Sequence, residues 1–367
     1  MNSVGTKHAG KRVLVAGASG LVGTAAVEQF LADGAEVIAL SRRRPEVESS
    51  RVFEHVAIDL RDATACNAAR DVLRSATHIV YAAVHELPGL MAGWTDPLQM
   101  STNEQMLGNL LAATRGGNLQ HMSLLQGTKA YGAHVHPIRV PAREREPRDH
   151  HENFYWLHED MVREQSSADG WTFTIWRPQL IVGPNYGVVM NLPPVIGAYA
   201  AIRRAEGLPF SFPGGAAWVW EAVDTRVLAE AMSWAASAAT AAGETFNITN
   251  GEVFSFRDMW PALAATLGIE LGPDEPNSMA AYLPARAHIW DDIVRRHQLR
   301  PLSLDDVLGE SHHYADVGLA FGAEVGPHVF LSTVKLRQAG FNGSMNTEDS
   351  FCHWLRVLMD RKVLPRP

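Results

Sequence analysis

Residues 13–23, VLVAGASGLVG, decide the fold of this chain. A β-branched apolar run is followed by Gly17, Gly20 and Gly23 in G-x-x-G-x-x-G spacing, directly before a segment of helical period. Glycines in this pattern permit a tight turn and let a pyrophosphate approach the helix N-terminus, where free N–H groups favour anions. The stretch predicts a dinucleotide-binding strand, turn and helix, and a plain turn between strand and helix is the alternative.

Strand-like runs alternate with longer segments of helical period through the first half of the chain. The runs are RVLVAG, EVIALS, EHVAIDL, THIVYAA, HMSLLQG and TFTIWRP, and helical text stands at 23–33, 103–114 and 153–165. Strands separated in this way predict parallel βαβ units with right-handed crossovers. The predicted fold class is therefore α/β, a doubly wound parallel sheet.

The chain loses this rhythm after Gly183. Pro- and Gly-rich text, GPNYGVVMNLPPVIG and GLPFSFPGGAAW, comes before a helix in EAVDTRVLAEAMSWAA and a strand in GETFNITNG, and the rest reads as helices and connectors. We expect a dinucleotide-binding domain from residues 10–183 plus 221–250. A smaller, discontinuous, mainly helical substrate lobe is expected from residues 184–220 plus 251–367.

Composition restricts the classes of function. The 367 residues, 46% hydrophobic and 20% charged, are ordinary for a globular enzyme with a large core. A net charge of -8 argues against a general nucleic-acid binder. The chain has two cysteines, which lack metal-ligand spacing, and it shows no signal-like or membrane-spanning run. These features predict a reduced cytoplasmic protein. A small molecule is the expected partner, and formation of a homodimer is left open.

The end of the second strand indicates which dinucleotide is bound. A carboxylate there would bind the ribose of NAD, but the chain reads ALSRRRPEV, with Ser41, Arg42 and Arg43 at that place. A guanidinium can hold a 2′-phosphate by paired, charge-assisted hydrogen bonds, so NADPH is the expected cofactor. A solvated basic loop is the alternative.

Further cofactor contacts are expected around the turn and after the third and fourth strands. Asp59 and Leu60 are expected beside the adenine, and Ala82 and Ala83 leave room for the cofactor. The turn itself adds three residues to the predicted contacts, namely Ser19, Leu21 and Val22.

A second stretch, ENFYWLHEDMV at 152–162, raises the question of the chemistry. Reductases of the short-chain dehydrogenase type carry Tyr-x-x-x-Lys here, but the residue four places after Tyr155 is Glu159. They also place Ser or Thr shortly after the fifth strand, where this chain reads LLQGTKAYG. Gly127 stands in place of that hydroxyl, and Lys129 follows two residues later.

With these features the chain resembles the progesterone 5β-reductase and iridoid synthase-like enzymes, an atypical branch of the extended short-chain dehydrogenases. LLQGTK matches that family's Leu-Gln-x-Gly-x-Lys stretch, and NFYW matches its Asn-Phe-Tyr-Tyr helix start. Similarity continues through WRPQLIVG, the Met-Asn pair after it, LSTVKLRQAGF and SFCHWLRVLMDRK. The resemblance therefore covers nearly the whole chain.

The resemblance implies a catalytic pair of Lys129 and Tyr155, taken from a loop and the helix that follows it. It implies NADPH-dependent 1,4-reduction of an apolar, steroid- or terpenoid-like enone or enal, in which the pair stabilises the enolate oxygen. The ammonium is expected to lower the pKa of Tyr155 from about 10. Cofactor contacts expected by resemblance are Gln126, Ile181, Val188 and Met190, and for the last three a buried connector without ligand contact is the alternative.

Several residues have competing interpretations. Trp156 replaces the family's second tyrosine and is expected to alter the neighbouring wall. Tyr131 is a rival acid or a packed loop aromatic, and Glu159 is interpreted as an exposed carboxylate. Six apolar residues suit an apolar substrate, although most are expected in the ordinary core: Trp94, Met190, Phe210, Phe212, Trp218 and Trp220.

Other readings of the chain remain open or are rejected. Histidine pairs at 134 and 136, 150 and 151, and 312 and 313 lack a third ligand at a recognisable spacing, so we predict no metal site. A 1,2-carbonyl reductase or a sugar-nucleotide epimerase or dehydratase on the same scaffold is the first alternative function. A non-catalytic NADP-binding regulator is the second.

Overall fold

The computed structural model describes residues 7–87, 92–326 and 328–367. Residues 1–6, part of the segment interpreted as lacking an export signal, lie outside this description. The strands are β1 (Arg12–Ala16), β2 (Glu36–Leu40), β3 (Glu54–Val56), β4 (His78–Tyr81), β5 (His121–Leu125), β6 (Thr172–Pro178), β7 (Leu180–Val182), β8 (Ala222–Asp224) and β9 (Glu244–Ile248).

Helices surround these strands and form most of the second half of the chain. They are α1 (Leu21–Ala32), α2 (Ala63–Ala68), α3 (Arg70–Arg74), α4 (Pro97–Thr114), α5 (Phe154–Asp169), α6 (Leu192–Ala205), α7 (Thr225–Ala235), α8 (Phe256–Leu267), α9 (Met279–Tyr282), α10 (Ala287–His297), α11 (Leu304–Leu308), α12 (Ser311–Gly318), α13 (Val334–Gln338) and α14 (Thr347–Asp360). Short 3₁₀ helices occur at Ala92–Thr95, Thr128–Tyr131, Ala239–Ala241 and Pro284–Arg286.

Within the described residues, seven strands form one sheet in the order β3-β2-β1-β4-β5-β6-β9, and every pairing is parallel. The predicted α/β fold class is confirmed. Strand order changes direction between β1 and β4, which pair so that Ala16 lies opposite Tyr81. In open parallel sheets a crevice forms outside the carboxyl ends of the strands at such a point.

Alternate residues of β1 enter hydrophobic clusters on opposite faces of the sheet. Val13 and Val15 pack with α1 and α7 on one face, and Leu14 and Ala16 pack toward α4 on the other. Both faces are covered, as expected for a parallel sheet whose strands are continuously apolar.

A third cluster lies in the second half of the chain. Helices α6, α8, α10, α11, α12 and α14 supply most of its buried side chains, with Trp260, Trp290 and Phe351 among the largest. The boundaries assigned to the two lobes stay a prediction. Helix α6 lies within the Pro- and Gly-rich text of residues 184–220, where no individual helix was predicted. Pro193 and Pro194 occupy its first turn, where a proline loses no intrahelical hydrogen bond.

Candidate active site

A cavity of about 600 Å³ lies along the carboxyl ends of the central strands. Its lining includes the residues that directly follow β1, β2, β4, β5 and β6, namely Gly17, Ser41, Ala82, Gln126 and Gln179. All but one of the predicted site residues also line it: Gly17, Ser19, Gly20, Leu21, Val22, Ser41, Arg42, Arg43, Asp59, Leu60, Ala82, Ala83, Gln126, Lys129, Tyr155, Ile181, Val188 and Met190. The exception is Gly23.

The glycine turn is built for close approach of backbone to backbone. Gly17 has a φ of +83°, and a Cβ there would lie 2.7 Å from the backbone nitrogen of Ala83. At Gly23 a Cβ would lie 2.1 Å from the carbonyl oxygen of Gly17, so this glycine lets α1 pack on the turn and does not face the cavity. Helix α1 begins at Leu21 without a side-chain cap, which leaves its first N–H groups available to an anion.

The far end of the cavity carries positive charge. Arg42 and Arg43 are exposed at its edge, and neither forms an ion pair with a carboxylate among the described residues. Asp59 accepts hydrogen bonds from Arg61, at 2.6 Å for the shortest, and these bonds lower the pKa of Asp59 to about 2. Arg61 also lines the cavity. This contact was not predicted from the sequence, although Arg61 directly follows Leu60, where the third strand was expected to end.

The opposite end holds Lys129 and Tyr155, which come from different elements. Lys129 lies in the 3₁₀ helix after β5, and Tyr155 lies in the first turn of α5. Asn153, the N-cap of α5, accepts a hydrogen bond from the backbone N–H of Tyr155 at 3.0 Å. The same side chain donates to the carbonyl oxygen of Lys129 at 2.9 Å. A single amide therefore fixes the two backbone segments relative to each other.

The reactive groups of this pair have few partners. Lys129 Nζ lies 3.5 Å from Met190 Sδ and 4.0 Å from the ring centroid of Trp94. Within the described residues, the Tyr155 hydroxyl has no hydrogen-bond partner, although its ring packs against Phe154 and Trp94. Met190 has a φ of 63°, a conformation that is strained for a residue with a side chain and that recurs at functional sites.

Burial determines the protonation states of the pair. Burial lowers the pKa of Lys129 to about 8, although the Glu86 carboxylate opposes the shift. Burial, followed by the charge of Glu86, raises the pKa of Tyr155 above its usual value. The prediction of a lowered tyrosine pKa is therefore wrong, because desolvation of the phenolate outweighs any nearby cation. Near neutral pH Tyr155 is a phenol that can donate a hydrogen bond.

Glu159, at the position of the displaced lysine, is buried, and its interpretation as an exposed carboxylate is wrong. Its side chain is 7% exposed and forms ion pairs with Arg148, Arg163 and Arg177 at 2.9–3.5 Å. Gln126 joins this cluster by accepting from Arg177 at 3.0 Å and donating to the carbonyl oxygen of Tyr155 at 3.2 Å. The cluster is therefore joined to the first turn of α5 through the hydrogen bond between Gln126 and the Tyr155 carbonyl oxygen.

Two aromatic residues near the pair lie outside the cavity. The Tyr131 hydroxyl donates to Asn247 Oδ1 at 2.7 Å in a buried site, which favours the packed loop aromatic over the rival acid. Trp156 does not line the cavity either, and packs beside the guanidinium groups of Arg148 and Arg177. The expectation that Trp156 alters the cavity wall is therefore not met.

Residues from the second half of the chain form part of the cavity wall. The carbonyl oxygen of Val188 accepts a hydrogen bond from the Ser311 hydroxyl of α12 at 2.6 Å. Tyr314, also in α12, lines the cavity. Of the six apolar candidates only Trp94 and Met190 line it. Phe210, Phe212 and Trp220 are buried in the core, and Trp218 packs against it.

Sequence reasoning also missed Glu86, His158 and Tyr314 in the cavity lining. Glu86 follows β4 in text without a recognisable motif, and Tyr314 stands far along the chain. Residues 7–87, 92–326 and 328–367 contain no group of three His, Cys, Asp or Glu side chains that could hold a metal ion. No helix in these ranges combines the length and hydrophobicity needed to cross a bilayer.

Comparison with known proteins identifies the class that this fold and cavity define. Residues 13–249 match the model of the NAD dependent epimerase/dehydratase family, and the chain belongs to that family. A UDP-glucose 4-epimerase of Bifidobacterium longum, solved in complex with NAD+ and UDP, has a TM-score of 0.67 at 15% identity, covering 95% of this chain and 98% of its own. At that identity the likeness shows the fold alone.

Two relatives in sequence are similar over nearly their whole length. An (S)-8-oxocitronellyl enol synthase of Nepeta cataria is 30% identical and covers 96% of this chain and 92% of its own. The 3-oxo-Delta(4,5)-steroid 5-beta-reductase of Arabidopsis thaliana is 29% identical and covers 96% and 91%. The predicted resemblance is confirmed, as is the predicted class of enzyme, an oxidoreductase with an extended short-chain dehydrogenase fold.

Proposed function

We propose that the protein is an NADPH-dependent reductase of the carbon–carbon double bond in an apolar α,β-unsaturated aldehyde or ketone. The observation that carries the proposal is the pairing of Lys129 with Tyr155 in one cavity. Within the described residues, neither the ammonium nor the phenol has an oxygen or nitrogen partner. Both side chains are half-buried and line the cavity, so a ligand bound there could complete the pair.

The oxygen of a conjugated carbonyl fits that place. When bound, NADPH supplies the hydride that reaches the β-carbon. Negative charge then develops on the carbonyl oxygen, where the Tyr155 phenol donates a hydrogen bond and the Lys129 ammonium provides positive charge. Preorganised groups of this kind stabilise a developing oxyanion most strongly in a site that excludes water. Trp94 and Met190 provide such apolar cover beside Lys129.

Gly127 supports reduction of the double bond over reduction of the carbonyl itself. A Cβ at this position would lie 3.5 Å from the Tyr155 hydroxyl, which is an ordinary contact distance. The hydroxyl of the usual Ser or Thr would therefore be within reach of the phenol, and glycine leaves the phenol without that partner. The names of the relatives, an enol synthase and a steroid 5-beta-reductase, are consistent with an apolar substrate of terpenoid or steroid type.

Arg42 and Arg43 support NADPH as the cofactor. Their guanidinium groups border the cavity beside Ser41, and neither forms an ion pair with a carboxylate among the described residues. Asp59, the nearest candidate for an NAD ribose, is already held by Arg61. A 2′-phosphate is the group that such free guanidinium groups bind well.

Product analysis with deuterium-labelled NADPH tests the proposal. The enzyme is incubated with an acyclic C10 enal, a cyclohexenone and the saturated aldehyde, and the label is located by mass spectrometry and NMR. Deuterium at the β-carbon is the expected result. Deuterium at the carbonyl carbon would instead identify a 1,2-carbonyl reductase, and interconversion of UDP-hexoses without enal reduction would identify an epimerase.

The matched variants are Lys129→Met and Tyr155→Phe. Each is expected to slow enal reduction by at least about a hundredfold, the usual effect of losing an oxyanion partner. Near-wild-type turnover in either variant would remove that residue from the mechanism. Consumption of no enone or enal by the wild-type enzyme would overturn the proposed function itself.

A further inference from the structure

Glu86 places a carboxylate in the cavity that the mechanism above does not use. It follows β4, is half-buried, and lines the same cavity as Lys129 and Tyr155. Its Oε1 accepts a hydrogen bond from Trp94 Nε1 at 3.2 Å. Burial raises the pKa of this carboxyl above its usual value.

Trp94 connects this carboxylate to the catalytic pair. Its ring holds the Lys129 ammonium 4.0 Å from the centroid, and it meets the ring of Tyr155 edge-on at 5.3 Å between centroids. A cation over an indole face is attracted by the ring's negative quadrupole. Donation from the indole N–H to a carboxylate polarises the ring further, which strengthens that attraction.

The other charged groups around Lys129 are already engaged. His151 forms hydrogen bonds to Asp149 at 2.7 Å and to the carbonyl oxygen of Lys129 at 3.1 Å. His136 forms a hydrogen bond to the other carboxylate oxygen of Asp149 at 2.8 Å. His134 is neutral near pH 7, because burial lowers its pKa to about 4. On the side of α5, Arg177 is paired with Glu159, as described above. Glu86 is thus the carboxylate near Lys129 that no arginine or histidine occupies within the described residues.

We propose that Glu86 is a positioning residue for Lys129: it holds the Trp94 indole beneath the ammonium and supplies the negative charge that balances it. The inference rests on the proposed use of Lys129 in catalysis. Its physical basis is the chain of contacts from carboxylate to indole to ammonium. The opposition of Glu86 to the lowering of the Lys129 pKa is consistent with this role.

Direct titration of Lys129 tests the coupling without relying on catalysis. The chain contains five lysines, Lys7, Lys11, Lys129, Lys335 and Lys362. Reductive methylation with formaldehyde and cyanoborohydride, which reduces the imine, can therefore be followed at each lysine by peptide mass spectrometry. Only the neutral amine reacts, and the rate against pH gives the midpoint. We expect Glu86→Gln to lower the Lys129 midpoint by about one pH unit, a typical effect of removing a nearby opposite charge. The alkaline limb of kcat should move with it.

Three comparisons keep the test decisive. Glu86→Asp retains the charge and should restore the midpoint to near the wild-type value. Trp94→Phe keeps a ring beneath the ammonium but loses the N–H, and should lower kcat more than it changes KM. Glu104→Gln, at an exposed site on α4, is the surface control and should change neither midpoint nor kcat.

The possible results separate the inference from the proposed function. An unchanged Lys129 midpoint in Glu86→Gln, with wild-type thermal stability, would overturn the role of Glu86 while leaving enal reduction intact. If Glu86→Gln does not fold, a Trp94→Phe variant with wild-type kcat and midpoint would overturn it equally. Absence of enal reduction by the wild-type enzyme would instead refute the proposed function, whatever the midpoints show.

Discussion

Replacing Tyr155 by Phe should separate catalysis from stability. Within the described residues its hydroxyl bonds no other group, so the variant should fold with a free energy of unfolding within about 0.5 kcal/mol of the wild type. The loss of one donor to a developing oxyanion typically costs about 10²–10³ in kcat, or roughly 3–4 kcal/mol of transition-state stabilisation. We therefore expect kcat to fall by at least about a hundredfold.

Tyr131→Phe is the matched control, because it removes the same atom from a tyrosine outside the cavity. The Tyr131 hydroxyl bonds buried Asn247 Oδ1 at 2.7 Å. Its loss leaves that acceptor unpaired, which should lower the free energy of unfolding by about 1–3 kcal/mol. Activity of the folded variant should remain close to that of the wild type.

The two variants are compared by NADPH oxidation at saturating enal and by urea and thermal unfolding. Single-turnover measurements separate the chemical step from product release. The reasoning is refuted if Tyr155→Phe keeps more than about a third of the wild-type kcat, a loss too small for an oxyanion donor. A large loss of activity in Tyr131→Phe at unchanged stability would make Tyr131 the acid.

Three further predictions concern pH, the cofactor and the turn. Because the ammonium form of Lys129 exists below its pKa of about 8, kcat should be level below that pH and fall above it; a rate that rises through pH 8 would contradict this assignment. Arg42→Ala should raise the Kd of NADPH at least about tenfold and leave that of NADH nearly unchanged, as followed by fluorescence titration; equal weakening would mean that the arginine does not contact the 2′-phosphate. Gly23→Val places a Cβ 2.1 Å from the carbonyl oxygen of Gly17 and should lower both the Tm and the affinity for either dinucleotide, and wild-type values for both would disprove the packing role.

Local pattern was sufficient for most of the sheet. The glycine spacing after β1 and the alternation of strand-like and helical text predicted a doubly wound parallel sheet, because these features depend on neighbours in sequence. Helix α6 escaped prediction because Pro193 and Pro194 look like breakers until their place in the first turn is known. The same two residues would have ended a helix anywhere further along it.

The site was predictable where a motif carried it. Lys129 and Tyr155 were inferred from a family resemblance, and both line the cavity. The burial of Glu159 and the raised pKa of Tyr155 depend on tertiary surroundings that no local pattern describes. Glu86 shows the same limit, since its contact with Trp94, in the 3₁₀ helix Ala92–Thr95, joins two residues that no motif links.

The arginine cluster around Glu159 restricts which residue this position can hold. In the common arrangement a lysine occupies that position, and a single codon change from glutamate could restore it. Here the new cation would meet Arg148, Arg163 and Arg177, which now form ion pairs with the carboxylate. A Glu159→Lys substitution alone would therefore place a fourth cation among three arginines, so restoring Tyr-x-x-x-Lys at this site would also require replacement of the surrounding arginines.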